Sequence, residues 1–200
     1  MPTGVHLRDA RRHLFDAAER VLLREGPGGL TSRAVTDEAE CAKGVLHRHF
    51  TDFDDFLVGL VLDRSGQLDV QARELGSRVG AGEVTGNLAE ALTALFGPVP
   101  VAIIPLITFR DGLRARLREA MPGGGIAILA QVAAAVSAYL TGECAAGRIA
   151  ADADVDSLTL SLVGGGHLLF ADREPGPPDA EAVHRLVGTV LADVLQRRPR

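Results

Sequence analysis

The sequence predicts an all-α protein of about nine helices, with a three-helix domain over 1–65 followed by a larger helical domain over 66–200. Three observations predict it. Apolar residues recur at three- and four-residue spacing through most of the chain. Glycine- and proline-rich breakers at 26–29, 80–82, 97–100, 122–125 and 175–178 cut that pattern into helix-length pieces. Within Leu30–Leu57, two short helical segments flank a tight turn, the spacing of a helix-turn-helix.

Composition narrows the classes further. Of the 200 residues, 46% are hydrophobic and 24% charged, which suits a globular chain with a core and excludes a disordered one. The net charge of −5 excludes a protein that coats nucleic acid indiscriminately, so any DNA contact depends on local placement of cations.

The first helix is predicted from Arg8 or Asp9 to Glu25, behind a short frayed tail, with Leu14, Phe15, Ala18, Val21 and Leu22 as its apolar stripe. Gly26-Pro27-Gly28-Gly29 ends it. This is not a phosphate loop, because no Gly-Lys-Ser/Thr follows and no strand precedes. Thr31 or Ser32 caps the next helix, whose inner face carries Val35 and Ala39, and Cys41 is the apolar residue of the turn. A further helix runs from about Ala42 with Leu46 and Phe50 inward, leaving Lys43, Gly44, Val45, His47, Arg48 and His49 outward or flanking the core. These are the donors and small groups that reading a major groove requires. Thr51 or Asp52 caps the helix after it, with Asp54 and Asp55 in its first turn at the positive end of the dipole.

Thr31-Ser32-Arg33 followed by Lys43-Gly44-Val45-Leu46-His47-Arg48-His49-Phe50 resembles the motif of the tetracycline-repressor (TetR) family of transcriptional regulators, across Ala10–Val61. The resemblance implies a cytoplasmic, ligand-responsive repressor, not an enzyme. It would act as a homodimer on a partly palindromic double-stranded DNA operator, with an effector-binding and dimerisation domain after the reading domain. On the matching positions, Lys43 and Arg48 would supply base or phosphate donors. Ser32, Arg33, His47 and His49 would hold the DNA backbone, and Gly44 and Val45 would meet base edges or methyl groups.

Five positions depart from the family wording: Glu40 replaces the turn glycine, Ala42 the capping serine, Val45 a threonine, His47 a tyrosine and Phe53 a phosphate-reaching lysine. Glu40 is therefore expected at positive φ, where a side chain is unfavourable. These departures motivate an alternative, a TetR-fold small-molecule-binding or interaction protein with weakened or lost operator binding.

Beyond the motif, Phe53, Phe56, Leu57, Leu60, Val61 and Val70 carry a long helix toward Arg78, and Gly80-Ala81-Gly82 marks a loop. Val84–Phe96 is a helix, and Val101–Phe109 is apolar with Pro105 inside, hence kinked or begun anew there. Arg110, Arg114, Arg116 and Arg118 make the next segment basic, either a solvated face or a second nucleic-acid contact. Ile126–Ala146 is an alanine-rich helix closed by Gly147. Asp152 or Asp154 caps the following one, which is apolar nearly all round and so expected to be buried on every side. Its Gly164-Gly165-Gly166 suggests close backbone packing or room for a ligand. In the last helix Val183, Leu186, Val187, Val190, Leu191, Val194 and Leu195 form a stripe, and the last two helices can pair with their copies as a four-helix bundle, the family's dimer.

By family analogy and apolar composition, an unknown small-molecule effector would meet Phe96, Ile103, Ile107, Phe109, Met121, Tyr139 and His167. No metal or cofactor is expected, since His47 and His49 lie about 200° apart on a helix and cannot share one ion. No catalytic motif is present. Cys41 and Cys144 are expected as reduced thiols, and no leader or membrane span is expected.

Overall fold

The computed structural model describes residues 4–42, 44–121, 127–171 and 178–195. Among these residues the chain forms ten helices: α1 (Gly4–Gly29), α2 (Ser32–Glu38), α3 (Gly44–His49), α4 (Phe53–Ser77), α5 (Val84–Leu95), α6 (Pro98–Thr108), α7 (Asp111–Ala120), α8 (Ala127–Ala145), α9 (Val155–Ala171) and α10 (Ala180–Leu191). The described residues contain no strand, only an isolated antiparallel bridge between Ile149 and Leu195. The breaker at 122–125 and most of that at 175–178 lie outside the described residues.

Several boundaries differ from the sequence reading. Helix α10 ends at Leu191, so Val194 and Leu195, expected in its stripe, lie beyond it, and Leu195 bridges Ile149 instead. Helix α1 begins at Gly4 rather than at Arg8 or Asp9, because nothing between Gly4 and Asp9 interrupts a helix. At its other end Gly26 leaves helical geometry at φ 73, ψ −178, and Pro27–Gly29 add one more turn after the break. Glycine alone makes that left-handed step without a Cβ clash. Likewise Pro98 and Pro100 do not separate two helices. They lie in the first turn of α6, where a missing N–H costs nothing.

The caps follow the residues that predicted them. Thr31 Oγ1 accepts from Ala34 N at 3.1 Å, Asp52 Oδ1 from Asp55 N at 2.7 Å and Asp154 Oδ1 from Ser157 N at 3.0 Å. Gly147 closes α8 at φ 68, with Arg148 N donating to Glu143 O at 2.9 Å.

The chain divides into two compact units, residues 1–64 with 102–122, and residues 65–101 with 123–200. In the first, α1, α2, α3 and the start of α4 surround Phe15, Phe50, Phe53 and Phe56, whose ring centroids lie 5.1–5.7 Å apart along the cluster. Gly59 lets the rings close in, since a Cβ there would sit 3.1 Å from both Phe15 and Phe50. Helix α7 buries Leu113 and Leu117 in this unit.

In the second unit α5 packs on α10, α9 on both α8 and α10, and α5 touches α8. Phe96 stacks on Phe170 at 5.9 Å and lies against Gly166, where a Cβ would stand only 2.8 Å from its ring. The glycine run of α9 thus serves close packing at Gly165 and Gly166, the former against Leu186. Contrary to expectation, α9 is not buried all round. Leu160 and Leu168 stand 75% and 76% exposed, and with Gly164 they form one open face at i, i+4, i+8 spacing.

Helix α8 over Ile128–Ala145 is long and apolar enough by composition to cross a membrane. It also carries a fully buried acid, Glu143. That carboxylate pairs with Arg148 at 3.2 Å and accepts from Gly80 N at 3.4 Å. Tyr139, one turn earlier, accepts from Asn87 Nδ2 at 3.0 Å, and its hydroxyl is hydrogen-bonded to Glu143. Burial first, and the neighbouring carboxylate second, hold the Tyr139 hydroxyl well above its ordinary pKa. Asn87 also donates to Ala81 O and Arg148 to Gly82 O, so the network fastens the 80–82 loop.

Candidate nucleic-acid interface

Helix α2 ends in a left-handed turn. Cys41 N donates to Thr36 O at 3.0 Å and Glu40 N to Asp37 O at 3.2 Å, the bonding of a helix end that needs one residue at positive φ. That residue is Glu40, at φ 50, the one non-glycine residue with positive φ among those described. The turn expected of a glycine has formed with a side chain in place. Replacing it should relieve strain: Glu40→Gly is expected to stabilise the protein by about 0.5–1 kcal/mol, the left-handed penalty less the entropy of a freer unfolded glycine. A higher urea midpoint with unchanged slope would show this; a lower midpoint would mean the Glu40 side chain contributes contacts that outweigh the strain.

A bond that the sequence did not reveal also supports the turn. His13 of α1 donates through Nε2 to Ala39 O at 2.9 Å, so the imidazole satisfies a carbonyl at the end of α2. Its signal was absent because the partners are 26 residues apart. On the far side, Glu38 accepts from Arg20 at 2.6 Å and Arg24 at 2.8 Å, and these two guanidinium bonds hold its carboxyl below the usual range.

Helix α3 projects from this frame. Leu46 and, just past the helix, Phe50 are buried, while Gly44, His47 and Arg48 are exposed and Val45 and His49 half-buried. Arg48 has no acidic partner among the described residues. Ser32 is half-buried at the start of α2, and Arg33 is exposed and reaches Asp37 at 3.5 Å. Lys43 lies outside the described residues. Seven of the eight expected contact residues are thus described, all on α2 and α3. Arg11 adds a cation over the Phe50 ring at 4.6 Å, tying α1 to the base of α3. Cys41 is half-buried, and burial pushes its thiol up, away from a reactive thiolate. No group of metal-binding side chains occurs among the described residues.

Residues 14–58 match the family of bacterial regulatory proteins called the tetR family. Residues 14–58 thus form a tetR-family domain.

Solved structures extend the TetR likeness, as a fold, over nearly the whole chain. A transcriptional regulator from Agrobacterium tumefaciens, described as TetR family, superimposes with a TM-score of 0.73 at 12% identity, covering 95% of this chain and 100% of the other. A transcriptional regulator from Rhodococcus sp. Rha1 gives 0.71 at 18% identity, over 92% and 97%. The regulator FadR from Bacillus subtilis, solved in complex with stearoyl-CoA, gives 0.67 at 17% identity, over 90% and 97%. No curated protein sequence matches the chain.

The residues expected around an effector are distributed over both compact units. In the first unit Ile103 and Ile107 are buried, Met121 is half-buried, and Phe109 stands 84% exposed, as no cavity-lining residue would. In the second, Phe96 and His167 lie together with ring centroids 6.3 Å apart. Tyr139 is occupied by Asn87 and Glu143. The sequence reading missed Thr159, whose buried hydroxyl, like His167 Nδ1, has no hydrogen-bond partner among the described residues. Both lie on one side of α9, eight residues apart.

Proposed function

We propose that the protein is a ligand-responsive transcriptional regulator, most simply a cytoplasmic repressor released from its operator by a small apolar effector. The carrying observation is the exposed, donor-bearing face of α3, held on buried Leu46 and Phe50 inside a TetR-family domain. Arg48 and Lys43 would donate to bases or phosphates, with Ser32, Arg33, His47 and His49 on the backbone and Gly44 and Val45 against base edges. We assign DNA reading to 1–65 and effector binding and dimerisation to 66–200.

Dimerisation is assigned to α9 and α10, because the Leu160, Gly164 and Leu168 face is open in the single chain. Two copies would set their α3 helices about 34 Å apart, one turn of a partly palindromic duplex. Effector binding is assigned to the Phe96, Phe170 and His167 cluster. Unsatisfied His167 Nδ1 and Thr159 Oγ1 support a ligand carrying one or two polar atoms on an apolar body. Tyr139, in the same compact unit, is a weaker proposed contributor, whereas Ile103, Ile107, Phe109 and Met121 belong to the other unit. The stearoyl-CoA held by the FadR structure supports an apolar effector class.

A second reading, a TetR-fold binding protein with weakened operator affinity, is favoured by Glu40 at φ 50 and by Phe53 stacked on Phe56 at 5.6 Å. Fluorescence anisotropy on DNA from upstream of the protein's own gene, across a salt series, separates the two. The first reading expects tight, salt-sensitive binding lost in K43A/R48A and weakened in L160E/L168E, which should run as a monomer. Binding by an intact dimer no better than to random duplex, there and in a genome-fragment selection, would favour the second.

A further inference from the structure

The basic segment of α7 was expected to be either a solvated face or a nucleic-acid contact, and three of its arginines have other partners. Arg116 makes a two-pronged pair with Asp52, Nη1 to Oδ1 at 2.9 Å and Nη2 to Oδ2 at 2.8 Å. Arg110 donates to the backbone oxygen of Leu30 at 3.2 Å, approaches Asp54 at 4.0 Å and lies 5.6 Å over the Phe53 ring. Arg114 turns back to Thr108 O at the end of α6 and to Asp111 in the first turn of its own helix.

The places gripped are informative. Leu30 immediately precedes the cap of α2, and Asp52 is itself the cap of α4. These are the two junctions that bracket α2, the turn and α3. Gly112 allows the approach, since a Cβ there would stand 3.2 Å from Asp54 Oδ2. Buried Leu113 and Leu117 seat the helix, and residues 102–122 accordingly belong to the same compact unit as α1–α3. The Arg116–Asp52 side chains are 44% and 46% exposed, so the pair adds little to overall stability. What a forked, in-plane pair supplies is geometry.

We propose that α7 is a strap on the reading head, and that Arg110 and Arg116 are positioning residues that hold the α1–α2 junction and the start of α4 in register and thereby set α3. The functional consequence rests on the DNA-reading assignment above, while the strap itself does not. Arg110 and Arg116 are turned to protein, not to phosphate.

Hydrogen exchange on the full-length protein tests this without DNA. In R110M/R116M, amides of 31–36 and 52–56 are expected to exchange on the order of tenfold faster, and in D52N, which keeps a capping side chain, those of 52–56 alone. Amides in the middle of α1 and in α8–α10 should not change, and neither should any amide in R118M. Unchanged exchange at both junctions, or a uniform increase through α1–α4, overturns the strap. Anisotropy on a random-sequence duplex supplies the second arm. The salt slope of R110M/R116M should equal that of the parent, and a slope reduced by about one per arginine would make them phosphate contacts instead. If the parent binds no duplex at all, the DNA-reading assignment fails while the exchange result still decides the strap.

Discussion

Glu143→Ala is expected to lower stability by about 3–5 kcal/mol, the usual cost of removing one partner from a buried ion pair. Arg148 would be left with its guanidinium largely buried, and one of its nitrogens, Nη1, already lacks a partner. The Tyr139 hydroxyl and Gly80 N would lose their acceptor as well. The damage should be local to the second unit at first: α8 would lose its tie to Gly80 in the 80–82 loop, while Asn87 of α5 keeps its bonds to Ala81 O and the Tyr139 hydroxyl. A melting temperature lower by roughly 6–20 °C is the expected reading for a chain of this size. Glu143→Gln keeps the shape and two hydrogen-bonding groups, so it should lose less than Glu143→Ala. Equal melting temperatures for Glu143→Ala and the parent would mean that water solvates Arg148 once the acid is gone, and that the network carries no stability.

Phe56→Ala is expected to cost about 3–5 kcal/mol in the first unit, through lost apolar transfer and an unfilled cavity. Phe56 is fully buried and touches the rings of Phe15, Phe50 and Phe53. It joins α4 to α1 and to the end of α3, so its loss should loosen the frame that presents His47 and Arg48. Urea unfolding followed by circular dichroism would show the lowered midpoint. Exchange of the α1–α3 amides should rise far more than that of α8–α10. A uniform change across both units would contradict the placement of this cluster in one of them.

How much of this was legible beforehand divides along sequence distance. Each cap could be narrowed to two residues, of which the structure uses Thr31, Asp52 and Asp154, and the inward positions Val35, Ala39, Leu46 and Phe50 could be read from neighbours three or four residues away. The positive φ of Glu40 was legible from one departure in a matched motif. Arg116 was not, because its partner is 64 residues back in the chain and a run of arginines on a helix carries no mark of what it faces. Glu143 was hidden for the same reason: in an alanine-rich helix nothing local distinguishes a buried acid from a solvated one. The open face of α9 shows the opposite failure. Uniform apolarity announces that a surface is to be covered, but not whether the same chain covers it.

The strap also bears on how the protein can be divided and inherited. A fragment ending near residue 64 would keep the whole helix-turn-helix yet lose α7, which belongs to the same compact unit from the far side of an intervening stretch of chain. The smallest autonomous form of the reading head is therefore not a continuous piece of polypeptide. Recombination that exchanges N-terminal domains at the apparent boundary would separate Asp52 and Leu30 from the arginines that grip them. Chimeras should work only when both pieces travel together, or when the incoming α7 carries arginines at the same two positions.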